Sequence, residues 1–277
     1  MTLLANLRSL LFAPGSDERK LSRALTSGAD AVVADLEDAV TPSEKAPARE
    51  LVSSLLAANE VECARIVRIN GTDTDLWRDD LAAIAALELD ALLLPKATPA
   101  AVEELGESGP PVIAIVETAV GLRLAYETAC SPRVAALALG AADLGAELRL
   151  EPRSDGQEIL FARSSLVVDS AAAGIQPPLD VVHLDTRDHV GLEQEAALAR
   201  SLGFGGKFCI HPAQVEIVNR VFGPSDEQLA WARAAVAAFE RGAEEGQGAA
   251  SLDGEMIDLP VVERARRILE LGRRENA

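Results

Sequence analysis

Val112-Ile113-Ala114-Ile115-Val116-Glu117-Thr118 decides the fold: an apolar run rich in β-branched residues ends in a carboxylate, and Gly121 then opens a helical pattern. Such a run reads as a strand buried on both faces of a parallel sheet. Parallel sheets of this kind bind ligands beyond the C-terminal ends of their strands, so Glu117 stands where chemistry is done. The same ending recurs over residues 31–38, 65–70, 91–96, 136–143 and 206–211, which finish on Asp38, Asn70, Lys96, Asp143 and His211.

Outward from that stretch, the chain alternates strands and helices. A first strand over 9–14 stops at Pro14-Gly15, with Ser16 or Asp17 as cap of a helix over 18–25. Ser43 is the candidate cap of a helix to about residue 58, and Gly71-Thr72-Asp73 turns the third strand into a helix carrying Leu76, Leu81, Ile84 and Leu87. Thr98-Pro99 follows the fourth strand as cap and first helical residue. Helices are predicted over 122–129, 156–173 and 192–202, and the last two strands over 179–184 and 207–212. Eight strand-helix repeats with short loops predict an α/β protein, a TIM (β/α)8 barrel over 1–223, with an open doubly wound sheet as the alternative. Residues 224–277 read as a C-terminal helical extension: a helix over 225–240, a Gly-rich stretch over 242–254 and an amphipathic helix over 260–271. This tail is too short for a domain and is expected to be an arm or lid that packs on a neighbouring subunit.

The 277 residues suit one barrel, which takes about 250 residues, plus an extension. With 48% hydrophobic and 25% charged residues the composition is that of a globular protein with a large core. A net charge of -18 argues against nucleic acid and anionic membrane surfaces as partners, so an anionic substrate needs a local basic cluster. No apolar run approaches the roughly 18 residues that span a bilayer, and the expected location is cytoplasmic. Cys63, Cys130 and Cys209 are far apart in sequence, without metal-ligand spacing, and read as free thiols.

Glu117 and Asp143 end adjacent predicted strands, which would aim two carboxylates into one mouth. Two carboxylates with water completing the shell suit Mg²⁺; the competing role for each is to cap a following helix. Asp35, Glu37 and Asp38 add acids to the ring, which require cations among them. Arg68 supplies one, and its planar fork suits a carboxylate or enolate oxygen; the alternative is a surface ion pair with Asp73 or Asp75. Lys96 is either a Schiff-base nucleophile or an ion-pair partner, and an acidic ring favours the ion pair because carboxylates oppose a depressed lysine pKa. His211 stands at the same mouth, as a substrate contact or a capping histidine. Arg19 and Arg23 share a helix face and form either a phosphate site or a solvated surface. Gly203, Gly205 and Gly206 precede a strand rather than a helix, which excludes a dinucleotide fingerprint.

Eight blocks in order then carry a resemblance: Leu11-Phe12-Ala13-Pro14-Gly15, Asp35-Leu36-Glu37-Asp38-Ala39-Val40, Val67-Arg68-Ile69-Asn70, Leu94-Pro95-Lys96, Glu117-Thr118, Gly140-Ala141-Ala142-Asp143-Leu144, Cys209-Ile210-His211-Pro212 and Met256-Ile257-Asp258-Leu259-Pro260. Over nearly its whole length the chain resembles the citrate lyase β-subunit-like branch of the HpcH/HpaI aldolases and is similar to malyl-CoA lyases. The resemblance implies a TIM barrel, often trimeric, that cleaves or forms a carbon–carbon bond beside an acyl thioester with coenzyme A and Mg²⁺. It implies Glu117 and Asp143 as metal ligands, Arg68 as the substrate arginine, and Arg19 and Arg23 as basic residues for coenzyme A. It further implies Asp258 as the acid/base residue delivered by a neighbouring subunit's arm. Asp35 and Glu37 are expected to position Arg68 and water, and Phe12, Glu117, Lys96, Ile210 and His211 to bind substrate. Phe12 departs from relatives that carry a tyrosine there, which removes a hydroxyl contact to the acyl group.

Overall fold

Eight strands form the frame: β1 (Ser9–Pro14), β2 (Ala31–Asp35), β3 (Ala64–Arg68), β4 (Ala91–Leu94), β5 (Val112–Val116), β6 (Val134–Leu139), β7 (Gln176–Asp180) and β8 (Gly206–Cys209). In the computed structural model, which describes residues 7–58, 62–244 and 248–274, they close into a parallel barrel. Closure runs through Ser9, Leu10 and Leu11 of β1, which pair with Lys207, Phe208 and Cys209 of β8. An open doubly wound sheet is thereby excluded.

The two-residue period of the strands divides their side chains. Leu10, Val33, Ile66, Leu93, Ile113, Ile115, Ala138 and Phe208 pack with one another as the barrel interior. Leu11, Val32, Val67, Leu92, Leu94, Val116, Leu137 and Cys209 pack in the layer beneath the helices. Two residues beyond Leu10, Val33, Ile66, Ile115 and Phe208 come Phe12, Asp35, Arg68, Glu117 and Ile210. Strand pleat alone therefore aims these five side chains at the C-terminal mouth.

Several boundaries differ from the sequence reading, each for a local reason. β2 stops at Asp35 because its carboxylate turns back to accept from Glu37 N (2.9 Å) and Ala39 N (3.1 Å), making residues 36–40 a loop. β6 stops at Leu139, and Asp143 falls in the first turn of the helix Ala141–Leu148 rather than at a strand end. β7 begins at Gln176, ahead of the predicted 179, and includes Pro177 and Pro178. Prolines lack the N–H a central strand needs, so the sequence pattern places the strand too late; its pairing with β6 is irregular accordingly. The predicted helix over 122–129 is two short helices, Ala119–Arg123 and Ala125–Ala129. The Thr98 cap is present, its hydroxyl accepting from Ala101 N at 3.2 Å, whereas Ser43 lies inside a 3-10 turn, Pro42–Glu44.

The chain divides into two compact units, Met1–Phe222 and Gly223–Ala277. The second contains the helices Asp226–Glu244 and Leu259–Arg274 around a core of Ala232, Ala235, Ile257, Val262, Ala265 and Ile268. Between those helices an antiparallel hairpin, Ala250–Leu252 with Glu255–Ile257, occupies part of the stretch read as merely Gly-rich. Its turn residues Asp253 (φ 50°) and Gly254 (φ 89°) have the left-handed backbone of a two-residue hairpin turn. Among the described residues no helix is long and apolar enough to cross a membrane.

Candidate active site

The mouth holds a cleft of about 460 Å³. Asp35, Asp38, Arg68, Glu117 and Asp143 line one part of it, and Phe12, Ile115, Leu139, Phe208 and Ile210 an apolar part.

Arg68 is the hub of the acidic side. Its Nε and Nη2 donate to the two oxygens of Asp35, both at 2.7 Å, in a bidentate pair. Its Nη1 lies 3.0 Å from Glu37 Oε2, an ion pair without hydrogen-bond geometry, and 3.5 Å from Asp38 Oδ2. Phe12 covers the guanidinium at 5.0 Å and itself rests on Phe208 at 5.1 Å. Arg68 is thus not a surface partner of Asp73 or Asp75, and Asp35 occupies the fork expected to face substrate. Burial alone would lower the guanidinium pKa, but Asp35, Glu37 and Asp38 outweigh it and keep the group charged. Three carboxylates share one cation, and Glu37 bears the excess: burial pushes it up to about 8 despite Arg68, with Asp38, Glu117 and Asp35 adding to the rise.

Glu117 lies one residue beyond β5 and is 5% exposed. Its Oε1 accepts from Lys96 N at 2.8 Å, and Lys96 takes a left-handed backbone (φ 48°) at this point. Glycine is required opposite: a Cβ on Gly140 would stand 2.5 Å from Glu117 Cβ and 2.6 Å from Oε2. Burial pushes the Glu117 carboxyl up to about 7; the Lys96 N–H lowers it and the charge of Asp143 raises it further. A buried carboxylate raised by the charge of a second one across a cleft suits a hard divalent cation. Among the described residues no group of three or more His, Cys, Asp or Glu side chains is placed to hold a metal. Glu117 and Asp143 are thus two candidate ligands, a number that suits Mg²⁺, which usually keeps several waters in its shell.

The other expected residues divide. Ile210 lines the cleft. Lys96 Nζ pairs with Asp73 at 3.0 Å, which raises its pKa and is the ion pair that the acidic ring favours over a Schiff-base role; it is not among the residues that line the cleft, and its backbone N–H reaches Glu117. His211 Nδ1 accepts from Ala213 N at 3.2 Å, a capping contact. Arg19 borders a separate depression with Ser16, Asp17, Glu18, Ser22 and Glu44, and Arg23 is exposed on the same helix, Glu18–Ala24. Asp258 Oδ1 accepts from Val261 N at 3.2 Å at the start of the helix Leu259–Arg274, within the second unit. The Cys209 thiol is buried and pushed up to about 12, so it is inert.

Sequence reasoning missed two buried polar networks. Asp180 of β7 binds Arg163 (2.9 Å) and Lys207 of β8 (2.9 Å), all three fully buried in the helix layer; burial would raise the carboxyl, but the two cations lower it. Near the mouth, Lys45, Asn70, Asp80 and Arg49 are buried behind the loop 36–40. The strand parity of Lys207, opposite to that of Phe208, could have signalled the first.

The model of the HpcH/HpaI aldolase/citrate lyase family matches residues 8–212. The chain belongs to that family. It is a family of lyases, and this member is one of its enzymes. A (3S)-malyl-CoA thioesterase of Cereibacter sphaeroides is 39% identical over 95% of this chain and 93% of the relative. The citrate lyase subunit beta of Leuconostoc mesenteroides subsp. cremoris is 36% identical over 95% of this chain and 92% of its own. Among solved structures, CitE from Mycobacterium tuberculosis, in complex with magnesium, acetoacetate and coenzyme A, is similar with a TM-score of 0.83 at 35% identity, covering 97% of this chain and 98% of that one. The citrate lyase beta subunit of M. tuberculosis with oxaloacetate and magnesium matches 81% of this HpcH/HpaI chain with a TM-score of 0.73.

Proposed function

We propose that this chain is a Mg²⁺-dependent carbon–carbon lyase, or the reverse condensing enzyme, acting on a β-hydroxyacyl-CoA thioester such as malyl-, citramalyl- or 3-hydroxy-3-methylglutaryl-CoA. The observation that carries this reading is the pairing of Glu117 and Asp143 beside Arg68 in one cleft. The magnesium and coenzyme A named with the M. tuberculosis CitE structure support it.

Cleavage of such a thioester converts the hydroxyl carbon to a carbonyl and leaves the electron pair of the broken bond as an enolate on the thioester. Mg²⁺ held by Glu117 and Asp143 would supply fixed positive charge for the developing oxyanion. Arg68, pinned by Asp35 and Phe12, adds a second positive group whose position needs no rearrangement during reaction. Phe12 and Phe208 exclude water from the enolate carbon. Asp258, on an arm contributed by a neighbouring subunit of a homo-oligomer, is our candidate to protonate that carbon, while Arg19 and Arg23 take the coenzyme A phosphates. The same arrangement run backwards condenses an acetyl thioester with a keto acid. A cytoplasmic location accords with coenzyme A as co-substrate.

A second reading is favoured by the thioesterase name of the 39% identical relative: hydrolysis of the thioester itself. The citrate lyase subunit relatives favour a variant of the first, with an acyl-carrier protein in place of coenzyme A. Product analysis separates them. Incubated with malyl-, citramalyl- and citryl-CoA and Mg²⁺, a lyase yields an oxo acid and acetyl-CoA; a thioesterase yields free thiol and the intact hydroxy acid. Free thiol without oxo acid would overturn the lyase reading.

A further inference from the structure

Lys45 is the first residue of the helix Lys45–Ala58, the end at which a cation opposes the helix dipole. It is nevertheless buried, 9% exposed, and outside the residues that line the cleft. Its Nζ donates to Leu36 O and to Glu37 O, both at 2.7 Å. Both carbonyls belong to the loop 36–40, whose N–H groups of Glu37 and Ala39 are taken by Asp35 and whose Leu36 N donates to Arg68 O at 2.9 Å. Asn70 grips the same loop from a second side: its Nδ2 donates to Leu36 O (3.0 Å) and to Asp80 Oδ2 (2.6 Å). Arg49 Nε fixes Asp80 in turn at 2.6 Å. Burial lowers the Lys45 pKa, opposed by Asp35, Asp80, Glu37 and Asp38. Among the described residues no carboxylate bonds the ammonium directly; what recommends a lysine here is a pair of buried carbonyls that one ammonium can bridge, each with room for a second donor: Asn70 Nδ2 on Leu36 O and Val40 N on Glu37 O (3.0 Å).

We propose that Lys45 is a positioning residue: its ammonium, anchored on the Leu36 and Glu37 carbonyls, holds the loop that sets Asp35, Glu37 and Asp38 around Arg68. Past the Leu36 N–Arg68 O bond to β3 the loop makes no strand pairing among the described residues, so its shape also depends on these side-chain donors from outside the barrel. Without Lys45 each carbonyl loses one of its two donors, Leu36 O keeping only Asn70 Nδ2 and Glu37 O only Val40 N, so the loop opens toward water and the Arg68 guanidinium loses its fixed direction. The link to catalysis rests on the role given to Arg68 above; the clamp itself does not.

Two measurements on the full-length protein test it separately. In hydrogen exchange, Lys45→Met should speed exchange of the 36–40 amides by roughly tenfold or more, leaving those of 112–116 unchanged. No acceleration, or equal acceleration in both segments, overturns the clamp. Lys45→Gln, which keeps one donor, should fall between parent and Lys45→Met and serves if the methionine variant does not fold. In a double-mutant cycle on the thioester that the parent cleaves, Lys45→Met should lower kcat/KM by roughly tenfold in the parent, chiefly in kcat, but by less than about twofold in an Arg68→Lys background. Equal fold losses in both backgrounds overturn the action through Arg68. If the parent cleaves no thioester, the functional reading fails while the exchange result still decides the clamp.

Discussion

Gly140 carries an argument about Glu117 that no charged residue carries as directly. A methyl group there meets Glu117 at its Cβ, which cannot swing aside as a side-chain tip can, so Gly140→Ala must displace the Glu117 side chain from its place in the cleft. The expected outcome is a loss of Mg²⁺ affinity of roughly tenfold or more, read by titration with Mn²⁺ as a spectroscopic stand-in; unchanged affinity would remove Glu117 from the metal site. Glu37 makes a pH prediction for the metal-free protein. Its carboxyl is raised from an ordinary 4.5 to about 8 by burial, so the folded state holds a proton the unfolded state has released. Stability from this group is full below about 4.5 and is lost as pH rises through about 8. Melting temperature in chelator should therefore fall between pH 5.5 and 8.5, and Glu37→Gln should flatten that slope. An unaltered slope in the variant would contradict the assignment.

At the scale of elements, what was legible in the sequence follows from what each strand must do. β5 and β2 are legible because both faces are buried and the apolar run is continuous, and their terminal acids stand out because each is the first charge after that run. Among Asp35, Glu37 and Asp38 the sequence reading does not choose the inward acid, although the two-residue period contains it: Asp35 shares the parity of Val33, as Glu117 does that of Ile115. Asp143 was assigned to a strand because Gly140-Ala141-Ala142 is as compatible with a strand end as with a helix start. Lys45 and Asn70 were invisible as site residues because their partners are backbone carbonyls and a distant acid, which no local pattern reports. β7 was misread at its prolines, and the structure gives that strand another anchor: the buried Asp180 with Arg163 and Lys207. Asp180→Asn leaves two buried cations undercompensated and should destabilise the fold by about 3–5 kcal/mol in denaturant unfolding. A loss below about 1 kcal/mol would mean that water reaches the cluster.

At the scale of the molecule, the barrel carries Glu117, Asp143 and Arg68, the proposed metal and substrate residues, while Asp258 lies in the second compact unit, and the acid/base role proposed for it implies a site shared between subunits. Asp258→Ala and Glu117→Gln, each nearly inactive alone, should regain part of the activity when subunits exchange between them; no recovery under demonstrated exchange would leave Asp258 as the helix cap it is here. Fold and family are both legible in the sequence, from the strand-helix alternation and the eight motif blocks, whereas the acyl group is not, because the shape of a cleft walled by Phe12, Phe208 and Ile210 is set by packing between distant strands. The central claim, that two carboxylates and a divalent cation at the barrel mouth drive carbon–carbon cleavage, meets its most direct test in one assay. Release of an oxo acid from the thioester the enzyme cleaves should cease in excess chelator and return with added Mg²⁺ or Mn²⁺; full activity in excess chelator would contradict it.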